Sequence, residues 1–286
     1  MTVELKDFDT VAKPDWCPGC GDFGIQVAVK QALTNLQIEP HKVAYVSDIG
    51  CSGKIVHWVN TYGLHSLHGR AVAAATGVKF ANRDLTVLLD AGDGGGYGIG
   101  VGHLVHAIRR NVDMTYLVHN NMVYGLTKGQ MTPTSCKGYV SPSSPFGAIE
   151  EPLNPMALAL SLGATFVARG SAGDAIGLTK ILEAAIKHKG FALVDIFQPC
   201  VTFNKINTYA YFLKNTYSLD KEEGYDRSNW KAAMEKATQT DKYPVGILYQ
   251  AEHATYEEQD PGRAEVPAVD LPIDNIEISE LMEKYC

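Results

Sequence analysis

Short apolar runs at 43–47, 86–89, 114–118, 165–168 and 192–197 punctuate the chain, each bounded by glycine, asparagine or charged positions. Between and before them, near 22–36, 69–81, 99–110, 155–162 and 173–188, apolar residues recur every three or four positions. A brief unbroken apolar run is what a strand covered on both faces requires, and the longer period is that of an amphipathic helix. Their alternation predicts an α/β fold, a parallel sheet with helices on both faces. Residues 132–147, with Pro133, Pro142, Pro145 and several serines, read as a loop. Beyond Cys200 the rhythm decays to one more helix at 225–238. Residues 251–286 then carry ten acidic residues against two basic ones, broken by Pro261, Pro267 and Pro272. This end is expected to be an extended C-terminal arm, because Leu271, Ile273, Ile276 and Ile278 suit a partner subunit better than water. The domain reading is therefore a main domain at 1–205 and a partner-binding extension at 206–286.

With 286 residues, 45% of them hydrophobic, the chain can bury one large core plus an appended segment. A formal net charge of -7 without clustered Lys and Arg argues against a nucleic-acid surface. The first nine residues lack a basic and apolar leader, and no run of about 18 apolar residues occurs, so a soluble cytoplasmic protein away from membranes is expected.

Candidate chemistry concentrates at two strand ends. Gly92-Asp93-Gly94 follows the run at 86–89, and Asn120-Asn121 follows the run at 114–118. Loops leaving the carboxyl ends of neighbouring parallel strands line the ligand crevice, so Asp93 and Asn121 can meet across it. Magnesium takes about six oxygens, few of them from protein when phosphate and water supply the rest. Asp93, Asn121 and one main-chain carbonyl meet that share, and the glycines let backbone N–H groups approach a diphosphate. Within the stretch 92–102 no triplet fits G-x-G-x-x-G: Gly92 and Gly94 fail at Tyr97, Gly94 and Gly96 at Ile99. Gly53-Lys54 fails as a P-loop, with Asp48 where glycine and Ile55 where Ser or Thr belong.

Six cysteines occur, at 17, 20, 51, 136, 200 and 286. In a reducing compartment Cys17-x-x-Cys20 is a metal or redox element rather than a structural disulfide. No strand precedes it as thioredoxin-like chemistry requires. Cys51 and Cys200 each follow a predicted strand, on the same edge as Asp93 and Asn121. Four thiolates there suit an iron–sulfur cluster or a structural zinc equally on ligand count. Cys136 and Cys286 read as ordinary thiols. The histidines form no zincin pair; His103 and His106 are only three positions apart, and His57, His65 and His119 read as packing or polar-network residues.

The paired motifs resemble the thiamine diphosphate signature. Trp16-Cys17-Pro18-Gly19-Cys20-Gly21 and the run from Asn120 to Gln130 closely resemble the β subunit of 2-oxoacid:ferredoxin oxidoreductases, across about residues 13–205. Through Leu67-His68-Gly69-Arg70 and the WCPGCG opening, the two-subunit 2-oxoglutarate enzymes are most similar. The resemblance implies a thiamine diphosphate-binding fold and a [4Fe-4S] cluster on Cys17, Cys20, Cys51 and Cys200. It implies Mg2+ on Asp93, Asn121 and the Val123 carbonyl, and cofactor contacts from Ile49, Gly50, Cys51, Ser52, His68, Gly94, Gly95, Gly125 and Leu126. Lys54 is a candidate partner of the substrate carboxylate, and Leu126 a candidate shaper of the substrate side. The implied reaction converts a 2-oxoacid, CoA and oxidised ferredoxin to acyl-CoA, CO2 and reduced ferredoxin, with an α subunit supplying the activating glutamate in a heterotetramer. The other readings are a pyruvate-specific member, a non-redox thiamine decarboxylase or synthase subunit holding zinc, and a noncatalytic scaffold.

Overall fold

The computed structural model describes residues 2–262, 266–272 and 278–285. Among them one sheet is formed by β1 (Val43–Ser47), β2 (Tyr62–His65), β3 (Thr86–Gly92), β4 (Met114–Asn120), β5 (Phe166–Ser171), β6 (Phe191–Phe197), β7 (Thr216–Ser218) and β8 (Tyr243–Gln250). Their order is β2-β1-β3-β4-β6-β5-β8-β7. The first six strands of that order are mutually parallel, β8 runs antiparallel to β5, and β7 is parallel to β8.

Side chains alternate across each strand, so each face has its own core. Val43, Tyr45, Leu88, Leu117, Ala192 and Val194 meet Ile25, Val29 and Leu33 of α1 (Asp22–Asn35), and they share that layer with Leu178 and Leu182 from a second helix. The opposite set, Ala44, Val46, Leu89, Tyr116, Val118 and Leu193, packs with α2 (Ala71–Ala81), α3 (Val101–Arg110) and α4 (Pro155–Ser161). The second helix of the α1 layer, α5 (Ala175–Lys187), starts where Asp174 accepts a hydrogen bond from Gly177 N, and Asn154 does the same for α4 through Ala157 N. β1, β4 and β6 are buried along their whole length, which is why they read as unbroken apolar runs.

The five expected strands are present; β5 runs on to Ser171, and β3 and β4 also extend further. β3 continues to Gly92 and β4 to Asn120, because Ala91 pairs with Val118 and Gly92 with His119. The helix expected from 99 begins at Val101, after a wide turn over Gly94–Ile99 that Gly98 interrupts. β2 escaped notice because all four of its residues are exposed at the sheet edge and carry no apolar run.

The larger correction concerns residues beyond 205. They add α6 (Tyr209–Asn215), β7, α7 (Trp230–Ala237) and β8 to the same sheet and its covering layer. β8 contains Pro244 and Gly246 and is not among the expected strands, yet Gly246 takes φ +134° beside the register shift between Val167 and Ala168, and Leu248 is fully buried. Residues 206–250 therefore belong to the sheet domain, and Thr255 and Tyr256 still pack against it. Of the apolar residues expected in the arm, Leu271 and Ile278 are exposed, whereas Ile273, Ile276 and Cys286 lie outside the described residues. Among the described residues no helix is long and apolar enough to cross a membrane. If β8 belongs to the core, Leu248→Ala lowers unfolding stability by about 2–5 kcal/mol. The exposed Val269→Ala stays within about 0.5 kcal/mol of the parent; equal small effects in denaturant melts would remove β8 from the core.

Candidate functional site

Four adjacent strands, β1, β3, β4 and β6, deliver their carboxyl ends to one edge of the sheet. The loops that leave β1, β3 and β4, with His68 from the loop after β2, enclose a cavity of about 290 Å3. Its walls include Ile49, Gly50, Cys51, Ser52 and His68, then Asp93, Gly94 and Gly95, then Asn121, Val123, Gly125 and Leu126. The structure thus gathers every residue expected around a magnesium diphosphate into one cavity. The glycines also serve packing: a Cβ at Gly94 would lie 2.1 Å from the Tyr124 ring, and one at Gly95 would lie 2.5 Å from Asp48 Oδ2.

Oxygen atoms are left over in this cavity in the pattern a hard cation wants. Asp93 is buried, and its Oδ2 accepts from Thr132 and Thr134 hydroxyls at 2.5 Å each, while its Oδ1 has no partner. Burial pushes the Asp93 carboxyl up to about 6, held back by those two hydroxyls. Asn121 Oδ1 accepts one hydrogen bond, from Val123 N at 3.0 Å, which leaves its second lone pair free. The Asn121 and Met122 carbonyls accept from Asn204 and Ser135, but among the described residues nothing donates to the Val123 carbonyl. Two side-chain oxygens and one carbonyl therefore fit magnesium chemistry. Opposite them, buried Asp48 accepts from Ile49 N at 2.5 Å and from Gly69 N at 2.8 and 2.9 Å, with His68 Nδ1 at 3.3 Å. That carboxylate fixes the His68-Gly69 turn at the cavity wall.

A second cavity of about 150 Å3 adjoins the first and is lined by Cys17, Cys20, Cys51 and Cys200. The two share Cys51, Asn121, Gly125 and Leu126. Gly125 keeps the wall thin: a Cβ there would sit 3.4 Å from Cys200 Sγ and 3.8 Å from Cys51 Sγ. Trp16 ties the two cysteine loops together by donating from Nε1 to the Cys51 carbonyl at 2.7 Å, with its ring edge-on to Trp58 and Phe23. Burial pushes the Cys51 thiol up to about 11 and raises Cys20 as well, both aided by the Asp22 charge. Such thiols stay neutral until a metal displaces their protons. Among the described residues no three His, Cys, Asp or Glu side chains stand close enough to hold a single ion. Tetrahedral zinc would need its sulfurs about 3.8 Å apart.

Other expected residues fall around these cavities. Lys54 lines the cysteine cavity rather than the larger one and is ion-paired with Asp15 at 2.9 Å. Leu126, half exposed, sits on the shared wall. Cys136 packs with Met122 and Phe212, apart from the four cysteines. His119 is a network residue, its Nδ1 2.8 Å from Asp22 Oδ1, and His57 pairs with His65. Thr132, Thr134, Asp48 and Gln198 escaped the sequence reading. The Thr-Pro-Thr spacing lay in a segment already read as loop, and nothing local ties it to Asp93, 39 positions away.

Known proteins resemble this chain in sequence and fold. Residues 48–196 match the thiamine pyrophosphate enzyme family at its C-terminal TPP binding domain, and residues 200–265 match the C-terminal family of the pyruvate ferredoxin oxidoreductase beta subunit. The chain is 50% identical over 258 residues to the 2-oxoacid:ferredoxin oxidoreductase subunit beta of Saccharolobus solfataricus, covering 86% of this chain and 85% of the relative. It is 47% identical over 199 residues to the 2-oxoglutarate oxidoreductase subunit KorB of Mycobacterium tuberculosis, covering 70% of this chain and 53% of that one. A solved 2-oxoglutarate:ferredoxin oxidoreductase from Magnetococcus marinus, with 2-oxoglutarate, coenzyme A and succinyl-CoA bound, matches with a TM-score of 0.87 at 42% identity, covering 90% of this chain and 88% of that one. On this identity and this fold, the chain belongs to the family of 2-oxoacid:ferredoxin oxidoreductase β subunits, oxidoreductases built on a thiamine pyrophosphate-binding domain.

Proposed function

We propose that the chain pairs with an α subunit, as a heterotetramer, to convert 2-oxoglutarate, CoA and oxidised ferredoxin reversibly to succinyl-CoA, CO2 and reduced ferredoxin. The observation that carries this reading is the common wall of Cys51, Asn121, Gly125 and Leu126 between the oxygen-lined and cysteine-lined cavities. Thiamine diphosphate with Mg2+ in the first supplies the electron sink for decarboxylation, and a [4Fe-4S] cluster in the second accepts electrons one at a time.

The chain's own residues hold and orient. Asp93, Asn121 and the Val123 carbonyl bind the cation, while Ile49, Gly50, Ser52, His68, Gly94 and Gly95 line the cofactor. Gly125 keeps both cavities within reach of each other. Lys54 lines the cysteine cavity in an ion pair with Asp15, so its role toward the substrate carboxylate requires it to leave that pair, and Leu126 shapes the substrate side. Cys17, Cys20, Cys51 and Cys200, which line the second cavity together, ligate the cluster. Among the described residues no glutamate lines the oxygen-lined cavity, so the activating glutamate comes from the α subunit. Exposed Leu67, Leu126, Phe146 and Ile149 supply apolar surface for that partner. The choice of 2-oxoglutarate over pyruvate is supported by the KorB relatives and by the substrates bound in the Magnetococcus marinus enzyme.

Asp93→Ala should weaken magnesium-dependent thiamine diphosphate binding by more than the roughly 100-fold that losing an outer partner costs, while the α–β complex still assembles. Undiminished binding in a calorimetric titration would exclude the cation site. The co-purified complex should be brown, absorbing broadly on the order of 400 nm and bleaching with dithionite; Cys200→Ser should remove that band, and a colourless protein with stoichiometric zinc would end the redox reading. Viologen reduction with CoA should be faster with 2-oxoglutarate than with pyruvate, and the reverse order would make this a pyruvate enzyme.

A further inference from the structure

Gln198 follows the carboxyl end of β6, is almost fully buried, lines the cysteine cavity, and reaches Asn121 on the shared wall with the same amide. Its Oε1 accepts from Asn121 Nδ2 at 2.8 Å. Its Nε2 lies 3.1 Å from Cys20 Sγ and 3.2 Å from the Pro199 carbonyl. Turning the amide over would set two NH2 groups against each other and an oxygen against the sulfur and the carbonyl, so the partners fix its orientation. The backbone is fixed as well, since Gln198 N donates to the Asn120 carbonyl at 3.0 Å.

Each end of the amide has a consequence. Because Asn121 Nδ2 is held by Gln198, Asn121 Oδ1 must face the other way, toward Val123 N and the oxygen-lined cavity. At the other end, a Cys20 that ligates iron is a thiolate. The other side-chain partner of its sulfur is Asp22 Oδ2 at 3.3 Å, an acceptor that a thiolate cannot serve. The Gln198 N–H group is then the side-chain donor left to that sulfur.

We propose that Gln198 is a positioning residue that couples the two sites, orienting Asn121 toward the cation and raising the reduction potential of the cluster through an N–H to sulfur hydrogen bond at Cys20. This rests on the function proposed above. An added electron increases negative charge on the cluster sulfurs, and an N–H dipole aimed at one of them stabilises that charge, so the bond favours the reduced state.

Two variants of the α–β holoenzyme test this, read by an EPR-monitored redox titration and by calorimetric titration of thiamine diphosphate with magnesium. Gln198→Leu removes both contacts. Its cluster midpoint should move to more negative potential, and its cofactor dissociation constant should rise about 10- to 100-fold, the usual cost of an outer partner. Gln198→Glu, of nearly the same shape, keeps an acceptor for Asn121 but, when ionised, offers no donor to Cys20. Its midpoint should also fall while cofactor affinity stays near that of the parent. Full cluster content with an unshifted midpoint in either variant would overturn the proposal, as would unchanged cofactor affinity in Gln198→Leu. If Gln198→Leu does not assemble, the isosteric variant still decides the redox half. A parent complex without any iron–sulfur signal would instead overturn the function itself, before either variant is compared.

Discussion

Parallel pairing of β1, β3, β4 and β6 is the constraint from which the site follows. Parallel strands end on the same edge, and the register here brings Ser47 beside Asp90, Gly92 beside His119 and Asn120 beside Phe197. Beyond those pairs the ladder stops, and the freed backbone groups must find other partners. Side chains supply them: Asp48 takes Ile49 N and Gly69 N, Asn121 takes Val123 N, and Ser135 serves the Met122 carbonyl. The polar residues of the edge are thus structural before they are chemical.

That arrangement buries several carboxylates within one small region, at a cost that each must offset locally. Asp195 is held by Arg169 Nε at 3.2 Å and by Tyr97 and Asn120 at 3.0 Å each. Asp93 is held by two threonine hydroxyls on one oxygen only. Asp90 has no hydrogen-bond partner on either oxygen, His119 Nε2 lying 3.9 Å from its Oδ2, and burial, followed by the Asp22 and Asp48 charges, pushes its carboxyl well above the usual range. Asp90 is consequently the carboxyl that its surroundings support least, whereas Asp195 has donors on both oxygens and Asp93 on one. The half-satisfied Asp93 is the one that faces the cavity, which is where unsatisfied groups in an otherwise consistent fold mark function.

The cysteine loops extend the same logic. Trp16 and Asp22 join the segment before α1 to the ends of β1 and β4, through the Cys51 carbonyl and His119. Gly19, at φ +82°, permits the tight turn in which Cys20 N donates to the Cys17 carbonyl. A sequence-distant pair of loops is thereby held against the wall that the diphosphate loops already form.

The chain's own pattern determined the five central strands, their two covering layers and the strand-end placement of Asp93, Asn121, Cys51 and Cys200, because buried parallel strands announce themselves as apolar runs and short motifs at their ends stay local in sequence; Ile49, Ser52, His68, Gly125 and Leu126 came from the family resemblance. It also determined that Asp93 and Asn121 share an edge, since neighbouring parallel strands leave no other arrangement. Tertiary structure alone decided what each side chain does there. Thr132 and Thr134 reach Asp93, Asp48 holds Gly69 N, and Gln198 spans from Asn121 to Cys20 over 77 and 178 positions of sequence. No local period encodes such contacts. The same holds for β8, which contains Pro244 and Gly246 and is not among the expected strands, yet pairs antiparallel with β5 and buries Leu248.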